Sequence, residues 1–217
     1  MRSFPLVLSS PSGGGKSTIA RALLEARDDL GYSISATTRK QRPGEADGKD
    51  YFFLKRDDFK KRIAAGEFVE YAEYGGELYG TLKSQLQEVI ESGRHVVLDI
   101  EIQGAREVKR LYHDAVLVFI VPPSAEELLK RLGGWEGTRA ANLEQRMQRA
   151  VVELNEALQY DYVVVNADRT EAVADVAAIL DAESRRPRHN PDLVDQLGQL
   201  GRDIAQLLDR LKTKVGG

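Results

Sequence analysis

Cysteine is absent from this chain of 217 residues. Disulfides, cysteine-built zinc sites and thiol catalysis are therefore excluded. An excess of one charge sign is also missing. Charged residues make up 30% of the chain, yet the net charge is only −3. No strong pull toward nucleic acid or an anionic membrane follows from that balance. No apolar run approaches the length needed to span a bilayer. The opening residues Met1-Arg2-Ser3-Phe4-Pro5 run straight into a strand-like stretch, without the long apolar core of a signal peptide. No internal repeat is visible. The expectation is a cytoplasmic protein, long enough to bury a substantial core, with one main domain and a smaller inserted piece.

What the chain does have is a run of small residues, Ser10-Pro11-Ser12-Gly13-Gly14-Gly15-Lys16-Ser17-Thr18. The apolar Leu6-Val7-Leu8 precedes it and the helix-like Ile19-Ala20-Arg21-Ala22-Leu23-Leu24 follows. Strand, glycine-rich turn and helix opening on Gly-Lys-Ser is the context of a P-loop. Glycines let backbone N–H groups turn inward on a phosphate, and the helix N-terminus adds partial positive charge. Lys16 is placed to reach β- and γ-phosphates, and Ser17 to ligate Mg²⁺. The full pattern has Gly where this chain has Ser10, which is acceptable only if φ there is negative.

Strand-length apolar runs recur at Leu6–Leu8, His95–Leu98, Ala115–Val121 and Tyr162–Val165. They are almost wholly apolar, as parallel strands buried on both faces are. Between them lie stretches of helical spacing: Leu82, Leu86, Val89 and Ile90; Leu128, Leu129 and Leu132; Val173, Val176, Ala177 and Leu180. The alternation predicts an α/β fold, a parallel P-loop sheet with helices on both faces. Residues 1–34 and 82–184 form the expected core. Residues 35–81 differ, being dense in Tyr and Phe and in turn residues, and read as an inserted mixed α/β subdomain. It should contain short antiparallel strands around one helix near Arg56–Ala65. Gly133–Asn142, with three glycines, reads as a mobile loop, and 133–145 as a short lid. Residues 185–217 read as a basic, loosely docked linker followed by an amphipathic helix.

Several constellations carry polar chemistry. Arg39 and Arg42 can converge on one phosphate or form a solvated turn. Tyr51 can donate to an anion or simply pack. Phe68 and Glu70 should share one strand face, with Val69 on the other. A carboxylate there can serve a base edge or stand as an ordinary edge charge. Asp99 closes a buried strand, where parallel sheets bind ligands, and reads as an acid holding Mg²⁺ or its waters.

Together these segments resemble guanylate kinases, which phosphorylate GMP with ATP. The likeness runs from about Leu6 to about Leu180. It rests on the P-loop at 10–18, Ser-Ala-Thr-Thr-Arg-Lys-Gln-Arg-Pro-Gly-Glu at 35–45, Gly-Lys-Asp-Tyr-Phe-Phe at 48–53 and Glu-Phe-Val-Glu at 67–70. Further segments are Tyr-Gly-Thr at 79–81, Leu-Asp-Ile-Glu-Ile-Gln-Gly-Ala at 98–105, Pro-Pro-Ser at 122–124, Gln-Arg-Met at 145–147 and Tyr-Asp-Tyr-Val-Val-Val-Asn at 160–166. The resemblance implies that ATP binds at Ser10–Thr18 and that Asn166 flanks its adenine. Arg39, Arg42, Tyr51 and Tyr79 would hold the GMP phosphate, and Ser35, Glu70 and Thr81 would read guanine. Asp99 and Glu101 match two family acids near metal and nucleotide, the second usually Asp. Lys16, Arg39, Arg131, Arg146 and Arg149 would stabilise the transferring phosphoryl group. Trp135 stands where the family's lid has an arginine, with Arg139 nearby. Two readings compete with this one: a non-catalytic module of the same shape binding a peptide or phosphoprotein, and a P-loop kinase for another phosphate acceptor.

Beyond the resemblance, Leu193, Leu197, Leu200, Ile204, Leu207 and Leu211 form an a/d seam. Pro191-Asp192 marks its start and Gly216-Gly217 its end. Gly198 and Gly201 each weaken an isolated helix by ~1 kcal/mol, so the seam needs a partner surface. Folding back on the core and pairing with a second copy are the two ways to supply it, and the basic linker favours pairing.

Overall fold

The computed structural model describes residues 2–133 and 140–215. Trp135, Arg139, Gly216 and Gly217 lie outside the described residues. The central sheet has five parallel strands: β1 (Pro5–Ser9), β2 (Leu30–Tyr32), β7 (His95–Asp99), β8 (Val116–Val121) and β9 (Tyr162–Val165). Their spatial order is β2-β7-β1-β8-β9. From β1 the chain goes to β2 at one edge, returns to β7 beside β1, and then adds β8 and β9 on the other side. The carboxyl end of β1 is therefore the switch point where such sheets bind ligands.

Alternate residues of each strand feed opposite faces. Leu6, Leu8, Val97, Val118 and Ile120 pack under α1 (Lys16–Ala26) and α7 (Arg169–Ser184), against Ile19, Leu23, Val176 and Leu180. Val7, Val96, Leu98 and Leu117 pack on the other face under α3 (Lys83–Glu91) and α4 (Ile102–Leu111), against Leu86, Val89 and Val108. Helices cover both faces, as the near-continuous apolar runs require. The edge strand β2 escapes sequence reading because Leu30-Gly31-Tyr32 is too short to show a period. Its glycine has a packing reason, since a Cβ on Gly31 would lie 2.4 Å from Val89 Cγ1.

A second sheet is ordered β4-β3-β6-β5, from β4 (Phe52–Phe53), β3 (Ser35–Thr37), β6 (Glu77–Leu82) and β5 (Phe68–Tyr74). It closes over α2 (Arg56–Ala64) through Ala36, Phe59, Phe68, Leu78 and Leu82. β3 and β6, and β5 and β6, pair antiparallel as expected, whereas β3 and β4 pair parallel. A second expectation fails. A bulge between Phe68 and Glu70 sets Phe68 opposite Leu82 and Glu70 opposite Thr81. The extra residue turns Phe68 and Glu70 to opposite faces.

Helix α5 (Ala125–Gly133) buries Leu128 and Leu132, but Leu129 is exposed. Residues a full turn apart share a face and the adjacent one does not. Helix α6 (Ala140–Glu156) begins inside the stretch read as a loop, so 140–142 are its first turn.

The linker also departs from expectation, because it docks tightly. Glu183 is fully buried and accepts hydrogen bonds from Tyr162 Oη (2.6 Å), Arg186 Nη1 (2.9 Å) and Arg188 Nη2 (2.7 Å). His189, also fully buried, stacks on Phe4, and its ring nitrogens face the carbonyl oxygens of Glu183 and Asp114 at 2.8 and 2.9 Å. The basic residues of the linker neutralise one interior carboxylate. Helix α8 (Pro191–Val215) leaves the body from this anchor.

Burial alone would raise the Glu183 carboxyl. The hydrogen bonds from Tyr162, Arg186 and Arg188 outweigh it and bring the pKa down from 4.5 to about 2. A depressed carboxylate gives stability that is full above its unfolded pKa and lost as pH falls through the folded one. Glu183→Gln is therefore expected to destabilise the fold near neutrality by roughly 2 kcal/mol, discounted because both arginines are partly exposed. Denaturant melts at pH 7 and pH 3 check this. The difference between the two proteins should shrink as pH drops from 4.5 toward 2.

Candidate active site

The loop between β1 and α1 has the cradle form the sequence predicts. Gly13 and Gly15 take positive φ, 85° and 99°, and Gly15 caps α1. Gly14 N–H closes the turn on Pro11 O at 2.8 Å. Among the described residues no non-glycine has positive φ, so Ser10 meets its condition. Its hydroxyl donates to Pro11 O at 2.9 Å. Gly14 and Ser10 are mutually fitted, because a Cβ on Gly14 would stand 2.6 Å from Ser10 Cβ. Asn166, delivered by the end of β9, lies against the back of the loop. Its side-chain amide donates to Gly14 O at 3.0 Å, and a Cβ on Gly15 would reach within 2.4 Å of it.

Lys16, in the first turn of α1, points to the end of β7. Its Nζ lies 2.6 Å from Glu101 Oε1 and 3.7 Å from Asp99 Oδ1. Burial by itself favours the neutral amine, but the Glu101 and Asp99 carboxylates outweigh it and hold Lys16 above its usual range. Strand register explains the meeting, since Asp99 pairs with Leu8, just before the loop. Asp99 Oδ1 is buried without a hydrogen-bond partner. An orphaned carboxylate oxygen is costly to bury, and here it faces the mouth of a phosphate cradle. That donor fits Mg²⁺ carried in with a nucleotide. Among the described residues no three acids or histidines gather into a complete metal cage. A hard cation with few protein ligands keeps its waters and phosphate oxygens.

On the inserted sheet, register gathers the residues that the resemblance assigns to a base. Ser35 pairs with Thr81, and Thr81 with Glu70, so all three stand in one row on one face, with Tyr79 two residues along. Glu70 is buried and accepts from Thr81 Oγ1 at 2.6 Å. Burial pushes its carboxyl up, partly opposed by the Thr81 hydrogen bonds. Gly104 in α4 makes room for it: a Cβ there would lie 2.6 Å from Glu70 Oε2.

Beside this face Arg39, Tyr51 and Tyr79 gather, the residues that the resemblance assigns to a phosphate. The Arg39 guanidinium lies 5.3 Å from the Tyr51 ring centroid, and Tyr51 meets Tyr79 edge-on at 6.1 Å. Glu45 holds Arg39 through two bonds of 2.8 and 3.1 Å. Glu45 also takes the Arg42 backbone N–H at 2.8 Å, and the exposed Arg42 guanidinium adds positive charge beside that carboxylate. Tyr51 therefore both packs and faces the cation.

The arginines beyond β8 reach the loop from the other side. Arg131 donates to Asn166 O (2.9 Å), Gly14 O (3.4 Å) and Glu127 (2.9 Å). Arg146 donates to Ser12 Oγ at 2.7 and 3.0 Å. Arg149 sits over the Tyr74 ring at 5.2 Å, joining α6 to the inserted sheet. Sequence reasoning missed Glu153, one turn beyond Arg149. It accepts from Ser12 N–H at 3.4 Å, and burial and Glu101 push its carboxyl up. The signal was present in the i, i+4 spacing to Arg149. Tyr74 and Gly104 were missed as well, since their value depends on cross-element contacts.

Gly104→Ala is expected to displace the Glu70 carboxylate without touching the P-loop. GMP affinity should fall by about tenfold, a loss on the order of 1–3 kcal/mol for a misplaced buried hydrogen bond. ATP affinity should be unchanged. Calorimetry with each nucleotide separates the two.

The sequence matches the guanylate kinase family over residues 2–183. A guanylate kinase of Symbiobacterium thermophilum is 44% identical over 198 residues, 90% of this chain and 93% of its own length. One from Thermus thermophilus is 42% identical over 220 residues, 100% of this chain and 99% of its own, so that alignment runs through the C-terminal helix. The crystal structure of guanylate kinase from Anaplasma phagocytophilum superimposes with a TM-score of 0.72 at 35% identity, covering 85% of this chain and 88% of that one. With its P-loop, its second sheet and these relatives, the chain belongs to the guanylate kinase family.

Proposed function

We propose that the chain is an ATP-dependent nucleoside monophosphate kinase that transfers the γ-phosphoryl group of ATP to GMP, giving ADP and GDP. The observation that carries the choice of acceptor is the row Ser35, Thr81, Glu70. Guanine offers N1–H and N2–H₂ as donors on one edge, which suit a carboxylate, and O6 as an acceptor, which suits a hydroxyl. Adenine reverses the pattern and would leave Glu70 buried and unpaired. Selectivity on the order of 10⁴ is within reach of such a site.

ATP phosphates enter the cradle at Ser10–Thr18, where the amides of Gly13 to Ser17 and Lys16 receive them. Lys16 then exchanges Glu101 for the β- and γ-phosphates. Arg39, Arg42, Tyr51 and Tyr79 fix the GMP phosphate, with one of its oxygens as nucleophile. Arg131, Arg146 and Arg149 stand where charge on the moving phosphoryl group develops. No protein nucleophile is needed, and the rate comes from positioning and charge stabilisation. Ser17 and Asp99 would hold Mg²⁺, which supplies charge neutralisation on the phosphates when bound.

The polypeptide works with small-molecule partners in this reading. No helix among the described residues is long and apolar enough to cross a membrane, which accords with a cytoplasmic site of action. Self-association through α8 completes the proposal, since its apolar stripe is exposed.

A coupled ADP-release assay with GMP, AMP, CMP and UMP tests the reaction, with turnover expected for GMP alone. Lys16→Ala should nearly abolish turnover while circular dichroism stays unchanged. Normal turnover by that folded variant would sink the kinase reading. Glu70→Gln should cost about 1.5–3 kcal/mol, roughly 10- to 100-fold in GMP affinity. In the parent protein GMP affinity should fall on acidification as the raised Glu70 carboxyl protonates, and the Gln variant should lose that dependence.

A further inference from the structure

Helix α8 presents an unusually long apolar stripe for a surface element. Val194, Leu197, Leu200, Ile204, Leu207, Leu208 and Leu211 are each about half exposed, between 48% and 59%. Among the described residues its substantial packing is with the turn at Pro187–His189. The stripe runs for about 25 Å at the rise of a helix. Contiguous apolar surface of that extent marks an interaction site. The Glu183–His189 anchor holds the root of the helix against the core and points the rest away from it.

We infer that the α8 helices of two copies pair antiparallel, with Gly201 of each copy at the crossing. This deepens the self-association proposed above and rests on it. Three observations set the orientation. With Leu197, Ile204 and Leu211 at a and Leu193, Leu200 and Leu207 at d, the e positions are Val194, Gly201 and Leu208. A parallel pair sets e against g of its partner, so Leu208 would lie beside Asp203. An antiparallel pair sets e against e, so Val194 meets Leu208 of the other copy and Gly201 meets Gly201. Apolar side chains are then covered by apolar side chains.

The second observation is space. A Cβ on Gly201 would meet nothing within 4 Å in the single chain. The residue costs helix stability and relieves no contact within its own copy. At the centre of an antiparallel crossing its missing side chain lets the two backbones approach.

The third observation is charge. Residues 191–200, with Asp192 and Asp195, carry a net −2, and residues 205–215, with Arg210, carry a net +2. Parallel pairing stacks like on like at both ends. Antiparallel pairing sets acidic end on basic end and opposes the two helix dipoles. The single like-charge meeting is Asp203 with its copy, on the solvent edge, where it is screened. Asp203 is already held by Gln199 at 2.8 Å.

The absence of cysteine makes the orientation directly testable in the full-length protein. Val194→Cys, Gly201→Cys and Leu208→Cys would each place the only thiol of the chain. Light scattering on the parent protein should give twice the chain mass, and deletion of residues 191–217 should give the monomer. Under mild oxidation G201C should cross-link to itself. V194C alone and L208C alone should cross-link poorly, and their mixture should form the mixed disulfide. Efficient self-cross-linking of V194C and of L208C, with no preference for the mixture, would overturn the antiparallel arrangement. A monomeric parent protein would overturn pairing altogether. GMP phosphorylation by every variant should match the parent, because α8 contributes none of the site residues described above. Loss of that reaction in the parent itself would count against the kinase reading and not against the pairing.

Discussion

Lys16 lies between two carboxylates beside the P-loop, at the spot where the proposed reading puts a triphosphate. The rest of the structure follows from that contact. A cation on a buried helix start cannot wait unpaired, because desolvation penalises its charge more than distant dipoles can repay. Glu101 at 2.6 Å and Asp99 at 3.7 Å keep it charged. Bringing these three groups together requires β1 and β7 to be parallel neighbours, which demands the crossover through the inserted sheet, α3 and β2. The fold is the shortest description of how one lysine reaches two acids.

The same logic repeats around the cleft. Arg39 leans on Glu45, Arg146 on the Ser12 hydroxyl, Arg131 on backbone carbonyls and Glu127, and Arg149 on the face of Tyr74. In the proposed reading each cation is held near its working place by a group weaker than a phosphate. Binding then exchanges one set of charge-assisted contacts for a stronger one, with little reorganisation at the moment of transfer. Glu153 accepts from the Ser12 N–H and Glu45 from the Arg39 guanidinium in the same arrangement. Glu70 is different in kind. It is buried, with its carboxyl pushed up, and in the proposed reading that unfavourable environment is what makes a complementary base valuable to it.

A second polar interior, far from the cleft, does structural work. Glu183 collects Tyr162, Arg186 and Arg188, and His189 seals the floor of the sheet beside Phe4. This network separates two halves of the tail. Residues up to Asn190 belong to the core, and the helix after Pro191 projects from it. A loose linker would have left α8 free to fold back, whereas a fixed root presents its stripe outward.

The sequence by itself determined the parallel sheet, the P-loop and the acid that ends β7. Those features are written in local pattern: apolar runs of strand length, glycines beside Gly-Lys-Ser, an acid closing a buried strand. Ser10 was legible too, once φ was recognised as the deciding variable. The row of Ser35, Thr81 and Glu70 needed the tertiary structure, because a bulge shifts Glu70 by one residue and alternation read from sequence turns it to the wrong face. Gly31 and Gly104 carried no reading of their own in the sequence, and Gly14 read only as part of the cradle. Only packing reveals that Val89, Glu70 and Ser10 occupy the space a side chain would need. The basic linker read as loosely docked because nothing in the local pattern marks its counter-charge, Glu183 at the end of α7, as buried. Local periodicity encodes elements. Register shifts, close approaches and the partners of buried charges arise between elements, and there tertiary packing decided the site.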